Sequence, residues 1–135
     1  MKPISNFLAS LPPEEQSGPL ATLLPTLFFG EKKQALNASY ELWNILCNQG
    51  QVVPAALPVY DLLVQGLPEL EPDLQVEVLD ILYQFAAGAA VKGSGEPWRA
   101  ALRERLQRDR AVYQRLSQSA SEDAAAFAQL ILEQQ

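Results

Sequence analysis

Apolar residues recur along this chain with the period of an α-helix, and prolines and glycines interrupt that pattern at short intervals. No segment shows the two-residue alternation of a half-buried strand. The interruptions fall at Pro12 and Pro13, Gly18 and Pro19, Gly30, Gly50 with Pro54, Gly66 with Pro68 and Pro72, and residues 93–95. Because proline and glycine begin or end helices more readily than they continue them, the pattern predicts an all-α protein of about six helices.

The predicted helices lie between these interruptions. They cover residues 19–29, 31–48, 54–66, 72–91, 96–117 and 121–134, and a short turn is expected at 4–10. Short connections between helices favour antiparallel neighbours, stacked as helical hairpins. Such a stack is either a short solenoid or a compact bundle, and we favour the solenoid. The length of 135 residues fits one domain.

Two helix starts carry local signals. Pro97 suits the first turn of the fifth helix, after Ser94 or Gly95, because the missing N–H of proline costs nothing there. Ser121, followed by two acidic residues, reads as the N-cap of the last helix.

Two helices carry broad apolar faces. In the second helix the face expected to be buried contains Leu36, Tyr40, Trp43 and Cys47, with Ala35, Ser39, Leu42 and Leu46 beside them. The helix at 72–91 carries two apolar stripes, which are Leu74, Val78, Leu82 and Phe85, and Val76, Leu79, Tyr83 and Ala86. A helix that is apolar on two sides should be covered on two sides, so this helix is expected at the centre.

Charge is segregated along the chain. Seven carboxylates and no basic residue lie between Lys33 and Lys92, whereas residues 92–115 carry seven basic side chains. A rigid surface of one sign attracts a partner of the other sign, so the pattern favours a binding protein with a cationic protein partner. The net charge of −6 argues against general nucleic-acid or anionic-membrane binding.

The residues that most enzymes use are largely missing. The chain has no histidine, the commonest general base and metal ligand near neutral pH, and its single cysteine, Cys47, lies on an apolar face. We therefore predict no enzyme activity, no catalytic residue, no cofactor and no metal. One cysteine cannot form an internal disulfide, and the first residues lack a signal-peptide core, so a cytoplasmic protein is expected. The apolar run at 20–29 is too short to span a membrane.

One acidic stripe leaves three alternatives open. Asp73, Glu77, Asp80 and Gln84 recur at the spacing i, i+4, i+7, i+11. The stripe is a solvated face, a surface that binds a partner, or part of a carboxylate enzyme or metal site. The last needs carboxylates that converge from different elements, which one helix does not supply by itself.

The helix at 96–117 is basic. Arg105 and Asp109 interrupt its apolar stripe at a spacing that allows them to pair. Arg99, Arg103 and Arg110 form a second line, which suits a phosphate backbone, an acidic partner, or the acidic middle of a neighbouring helix. Neutralising a neighbouring helix is the simplest of these roles, because no aromatic or reader motif for nucleic acid accompanies the arginines.

Residues 38–50, with Leu42, Trp43 and Asn44 ahead of Gln49 and Gly50, and residues 53–63, with Pro54 and Pro58, resemble small bacterial HEAT-repeat-like proteins. The resemblance implies a short α-solenoid used for protein contacts, with 18–91 as its core and 96–134 as capping helices. The resemblance also implies a role in inhibition, because such small proteins look like immunity partners of bacterial toxins in several cases. The group shares no catalytic residues.

Charge and resemblance together predict an immunity protein that covers the basic groove of a toxin. The expected contact residues are the carboxylates Asp61, Glu69, Glu71, Asp73, Glu77 and Asp80, with Tyr60 and Tyr83 as aromatic anchors if they are exposed rather than packed in the core. The alternative is a scaffold or self-associating module in which the acidic middle of one copy meets the arginine helix of another.

Overall fold

Seven α-helices and one turn of 3₁₀ helix account for nearly all of the residues that the structure, a computed structural model, describes. Those residues are 19–47, 56–90 and 97–134. The helices are α1 (Pro19–Phe29), α2 (Lys32–Cys47), α3 (Ala56–Gly66), α4 (Pro72–Ala89), α5 (Pro97–Arg108), α6 (Arg110–Leu116) and α7 (Glu122–Glu133), with the 3₁₀ turn at Leu67–Glu69. The all-α class is confirmed. The turn at 4–10 and the positions Ser94 and Gly95 lie outside the described residues.

Helix α4 is the centre of the stack, as its two apolar stripes predict. It packs against α2, α3, α5 and α7, and α7 returns from the end of the chain to lie along it. Val78, Leu79, Leu82 and Phe85 of α4 are fully buried. Helix α2 packs mainly against α1 and α4, and α3 against α5 and α4. None of the described helices combines the length and the apolar character needed to cross a bilayer.

Helix α1 reaches the end of α3 through a close approach. The ring of Phe28 lies over the backbone of Gly66, so that a Cβ atom at this position would collide with the ring. Glycine therefore lets the end of α1 pack directly on the last turn of α3.

The buried face of α2 differs from the prediction most at Tyr40, while Leu36 and Trp43 are partly buried. Ala35, Ser39, Leu42 and Leu46 are buried, but Tyr40 is 51% exposed. At about 100° per residue, Tyr40 points roughly 130° away from the centre of the face that those four residues share. Since α1 and α4 cover only part of the circumference of α2, the tyrosine ring remains half in solvent.

The predicted helix at 96–117 is divided into α5 and α6 at Asp109. The carboxylate of Asp109 accepts hydrogen bonds from Arg108 Nη2 at 2.8 Å and from the hydroxyl of Tyr60 at 3.1 Å. These side-chain contacts hold the residue where the helix breaks. The predicted N-cap of the last helix is confirmed, because the Ser121 hydroxyl accepts from Ala124 N–H at 3.3 Å. The described part of α5 begins at Pro97.

Candidate protein-binding surface

The arginines of α5 bind other parts of the same chain. Arg105 Nη1 donates to Asp61 Oδ2 at 2.9 Å and to Leu57 O at 3.0 Å, and Arg108 Nη2 donates to Asp61 Oδ1 at 2.7 Å. Arg105 therefore binds Asp61 of α3 rather than Asp109, the partner that its i, i+4 spacing allows. Asp61, one of the carboxylates expected to meet a partner, already has two cations beside it.

Two further arginines cap the carboxyl end of α4. Arg99 Nη1 donates to Gly88 O, and Arg103 Nη1 donates to Ala89 O at 2.9 Å. These carbonyls belong to the last turn of α4, which carries the negative end of the helix dipole. The arginines of α5 thus bind groups of α3 and α4 in the same chain.

Tyr60 is completely buried and is not a surface anchor. Its hydroxyl lies 2.8 Å from the hydroxyl of Tyr113 and donates to Asp109 at 3.1 Å. Burial is the main cause that raises the pKa of both phenols well above the ordinary value, so both hydroxyls stay protonated. The apolar ring and the available polar partners together explain why Tyr60 packs inside.

Tyr83 occupies an intermediate position. It is partly buried, and the centroid of its ring lies 6.4 Å from that of Phe127 at an interplanar angle of 46°. This tilted contact joins α4 to α7 and uses most of the ring as packing surface.

An acidic cleft of about 300 Å³ opens between α2, α4 and the start of α7. It is lined by Leu36, Tyr40, Asp73, Val76, Glu77 and Asp123. Asp73 and Glu77 come from the predicted stripe, whereas sequence reasoning missed Tyr40 and Asp123. The polar neighbours Asn37, Glu41 and Asn44 on α2 were the available signal that Tyr40 borders solvent, but nothing in the sequence brings Asp123 to α4.

The carboxylates of the cleft are incompletely neutralised. Lys32 Nζ lies 2.8 Å from Asp73 and 3.9 Å from Glu71, in pairs whose side chains are more than half exposed. Within the described ranges, Glu77 and Asp123 have no ion pair. Burial, and then the charge of Asp80, raise the pKa of Glu77. The cleft is therefore a site of unbalanced negative charge.

The carboxylates Glu69, Glu71 and Asp80, also predicted as contacts, do not line the cleft. Glu69 and Glu71 are exposed, on the 3₁₀ turn and just before α4. Asp80 is half-buried and accepts a long hydrogen bond of 3.5 Å from Gln84.

Burial, with a smaller contribution from Asp80, raises the pKa of the Cys47 thiol to about 12. In the described parts of the chain, no three acidic or cysteine side chains converge closely enough to hold a metal ion.

No protein-family model matches this chain, and no curated protein or solved structure is significantly similar to it. The HEAT-like resemblance of residues 38–63 stays a prediction. Functional inference therefore depends on the geometry of the described residues, of which the acidic cleft and the internal use of the α5 arginines are the main features.

Proposed function

We propose that this chain is a non-enzymatic protein-binding module that receives a cationic protein partner at its acidic cleft. The observation that supports this most directly is the pair of carboxylates, Glu77 and Asp123, that share the cleft with the half-exposed ring of Tyr40. Neither carboxylate has a cation beside it within the described ranges. The arginines that could have neutralised the cleft bind Asp61 and the end of α4 instead.

A lysine or arginine side chain fits these features chemically. Its charge would offset the burial of the Glu77 carboxylate and the repulsion from Asp80, which together raise the pKa of Glu77, and its aliphatic stem would lie against Leu36 and Val76. The ring of Tyr40 offers a face for a cation–π contact, which contributes about 0.5–1 kcal/mol at an exposed site. Half-exposed aromatic rings of this kind often become anchors in protein interfaces.

The more specific proposal is an immunity protein of a bacterial toxin, acting in the cytoplasm. Toxins that cut nucleic acids need a basic groove, and a rigid acidic surface that covers such a groove would inhibit by occlusion. The charge segregation and the HEAT-like resemblance support this role. The proposed contacts are therefore Tyr40, Asp73, Glu77 and Asp123, which line the cleft. Tyr60 and Asp61 are no longer among them, because both are bound within the chain.

A matched pair of charge reversals tests the proposal. Tagged protein is used at low salt to capture partners from its native lysate, the captured protein is identified and purified, and binding is then measured by calorimetry. Glu77→Lys and Glu133→Lys each change the net charge from −6 to −4, by adding two units. Glu133 is exposed at the far end of α7 from Asp123, so it controls for overall charge.

We expect Glu77→Lys to weaken binding of a basic partner at least tenfold and Glu133→Lys to change it less than threefold, because like charges in contact cost far more than distant ones. If both reversals weaken binding equally, only net charge matters and the cleft is not the site. If no basic protein binds the unaltered chain, the proposed function is wrong.

The alternative, self-association through the arginine helix, receives less support. Arg105 and Arg108 already bind Asp61, and Arg99 and Arg103 already bind carbonyls of α4. Pairing between copies would have to break these contacts. Sedimentation of the purified protein distinguishes the two, since self-association would appear as a concentration-dependent and salt-sensitive increase in mass.

A further inference from the structure

A second groove lies on the side of α4 opposite the acidic cleft. Its volume is about 350 Å³, and it is lined by Leu67, Pro68, Gln75, Val112, Arg115 and Leu116. Gln75 Nε2 donates to Leu67 O at 3.0 Å, which ties α4 to the 3₁₀ turn. At about 100° per residue, Gln75 and Glu77 point roughly 160° apart around α4. A partner could therefore occupy this groove without touching the acidic cleft.

The groove combines an apolar lining with one cation. Leu67 is buried, Val112 and Leu116 are partly buried, and Pro68 is exposed. Arg115 is exposed, and its side chain has neither a hydrogen bond nor an ion pair with any residue in 19–47, 56–90 or 97–134. It differs in this from Arg99, Arg103, Arg105 and Arg108, which are all bound within the chain.

We propose that this groove binds a segment of another protein in which an apolar side chain lies next to an aspartate or glutamate. The apolar side chain would cover Val112 and Leu116, and the carboxylate would pair with Arg115. In a chain with 16 acidic and 10 basic residues, an arginine that has no carboxylate beside it in the described part of the chain is locally complementary to an anion.

The shape of the groove favours a peptide segment over a small carboxylate. Small-molecule sites enclose most of the ligand, whereas this groove is only partly enclosed. An extended segment gains contacts on both flanks of the groove, and the planar guanidinium of Arg115 can bind a carboxylate with two hydrogen bonds. This inference stands independently of the cationic partner proposed for the acidic cleft.

The test uses a defined probe and the intact chain. The probe is an acetylated and amidated pentapeptide of sequence Ala-Leu-Glu-Leu-Ala, and its charge control carries glutamine in place of glutamate. Binding is followed by NMR titration at millimolar peptide, a range that detects weak complexes. The variant Arg115→Gln removes the cation, and Arg110→Gln, which changes another exposed arginine of α6 away from the groove lining, is the matched control.

We expect the amide signals of Gln75, Val112 and Leu116 to shift, and the affinity to fall about three- to fivefold either in Arg115→Gln or with the glutamine probe, as for a partly exposed ion pair. Arg110→Gln should bind as the unaltered chain does. Two outcomes would overturn the proposal, namely shifts that do not map to this groove, or equal binding of the glutamate and glutamine probes.

Discussion

The hydroxyl of Tyr60 on α3 lies 2.8 Å from the hydroxyl of Tyr113 on α6, and both rings are fully buried. Asp109, at the break between α5 and α6, accepts from Tyr60 at 3.1 Å and from Arg108 at 2.8 Å. One polar chain thus connects α3, the helix break and α6. It anchors the C-terminal helices to the rest of the described structure.

Tyr60→Phe should destabilise the fold. The change leaves the buried Tyr113 hydroxyl without this partner, and an unsatisfied buried hydroxyl costs about 1–3 kcal/mol. Urea unfolding at neutral pH measures the difference. Tyr40→Phe removes a half-exposed hydroxyl with the same chemistry and should stay within about 0.5 kcal/mol of the unaltered protein. Equal effects of the two changes would show that the buried pair contributes nothing.

Asp61→Asn should destabilise the docking of α5 on α3. It removes the charge that Arg105 and Arg108 share, and two partly exposed pairs contribute roughly 1–2 kcal/mol together. The free energy of unfolding of the variant should also depend less on salt. Glu69→Gln removes an exposed carboxylate that has no ion pair among the described residues, and it should leave both stability and salt dependence nearly unchanged.

Glu77→Gln should stabilise the fold at neutral pH. The raised pKa of Glu77 means that the folded state binds a proton at this group more tightly than the unfolded state does. Its ionisation therefore costs stability as the pH rises through the unfolded and then the folded pKa. The advantage of the variant should vanish below about pH 4, the ordinary range of a glutamate pKa, where the carboxyl is protonated in both states.

Urea unfolding of both proteins across this pH range provides the measurement for Glu77. Glu133→Gln, at the exposed end of α7, removes the same charge outside the cleft. A larger stabilisation from Glu133→Gln than from Glu77→Gln at neutral pH would contradict the assignment of unbalanced charge to the cleft.

Lys32→Met should strengthen binding of a cationic probe at the cleft. Lys32 neutralises part of the charge of Asp73 and Glu71, and an incoming cation must compete with it. For a hexa-lysine peptide measured by calorimetry at low salt, we expect an affinity increase of about threefold, the scale of one exposed ion pair. Lys33→Met changes the neighbouring exposed lysine. A similar increase in affinity there would show that only the net charge matters.

Cys47 should resist alkylation while the protein is folded. With a pKa of about 12, its thiol is ionised in only about one molecule in 10⁴ at pH 8, and the thiolate is the reactive form. The side chain is also fully buried. Mass spectrometry after treatment with iodoacetamide should show slow labelling of the native protein and rapid labelling in denaturing urea. Fast labelling without denaturant would contradict the buried position.

Much of the helical organisation could be predicted because its signals are local. Pro72 stands at the first position of α4, and the Ser121 hydroxyl caps α7. The apolar period also identified α4 as the central helix, since two buried stripes require neighbours on two sides. These features depend on residues within a few positions of one another.

The candidate site could be predicted only in part, because long-range contacts assemble it. The charge pattern pointed to Asp73 and Glu77, but Asp123 reaches the cleft only because α7 packs on α4. Tyr40 is a candidate contact because its ring is half exposed, whereas Tyr60 is not one because its ring is buried. The sequence pattern could not distinguish them, since both follow a helical apolar spacing.

By itself, the sequence determined that this chain is helical, where most of its helices begin, and that its acidic and basic residues are separated. Only the tertiary structure decided the partners of those charges. Arg105 binds Asp61, 44 residues away, rather than Asp109 four residues away, and the helix breaks where Tyr60 meets Asp109. The physical reason is that helix propensity and capping are local, whereas burial and ion pairing depend on which helices pack together.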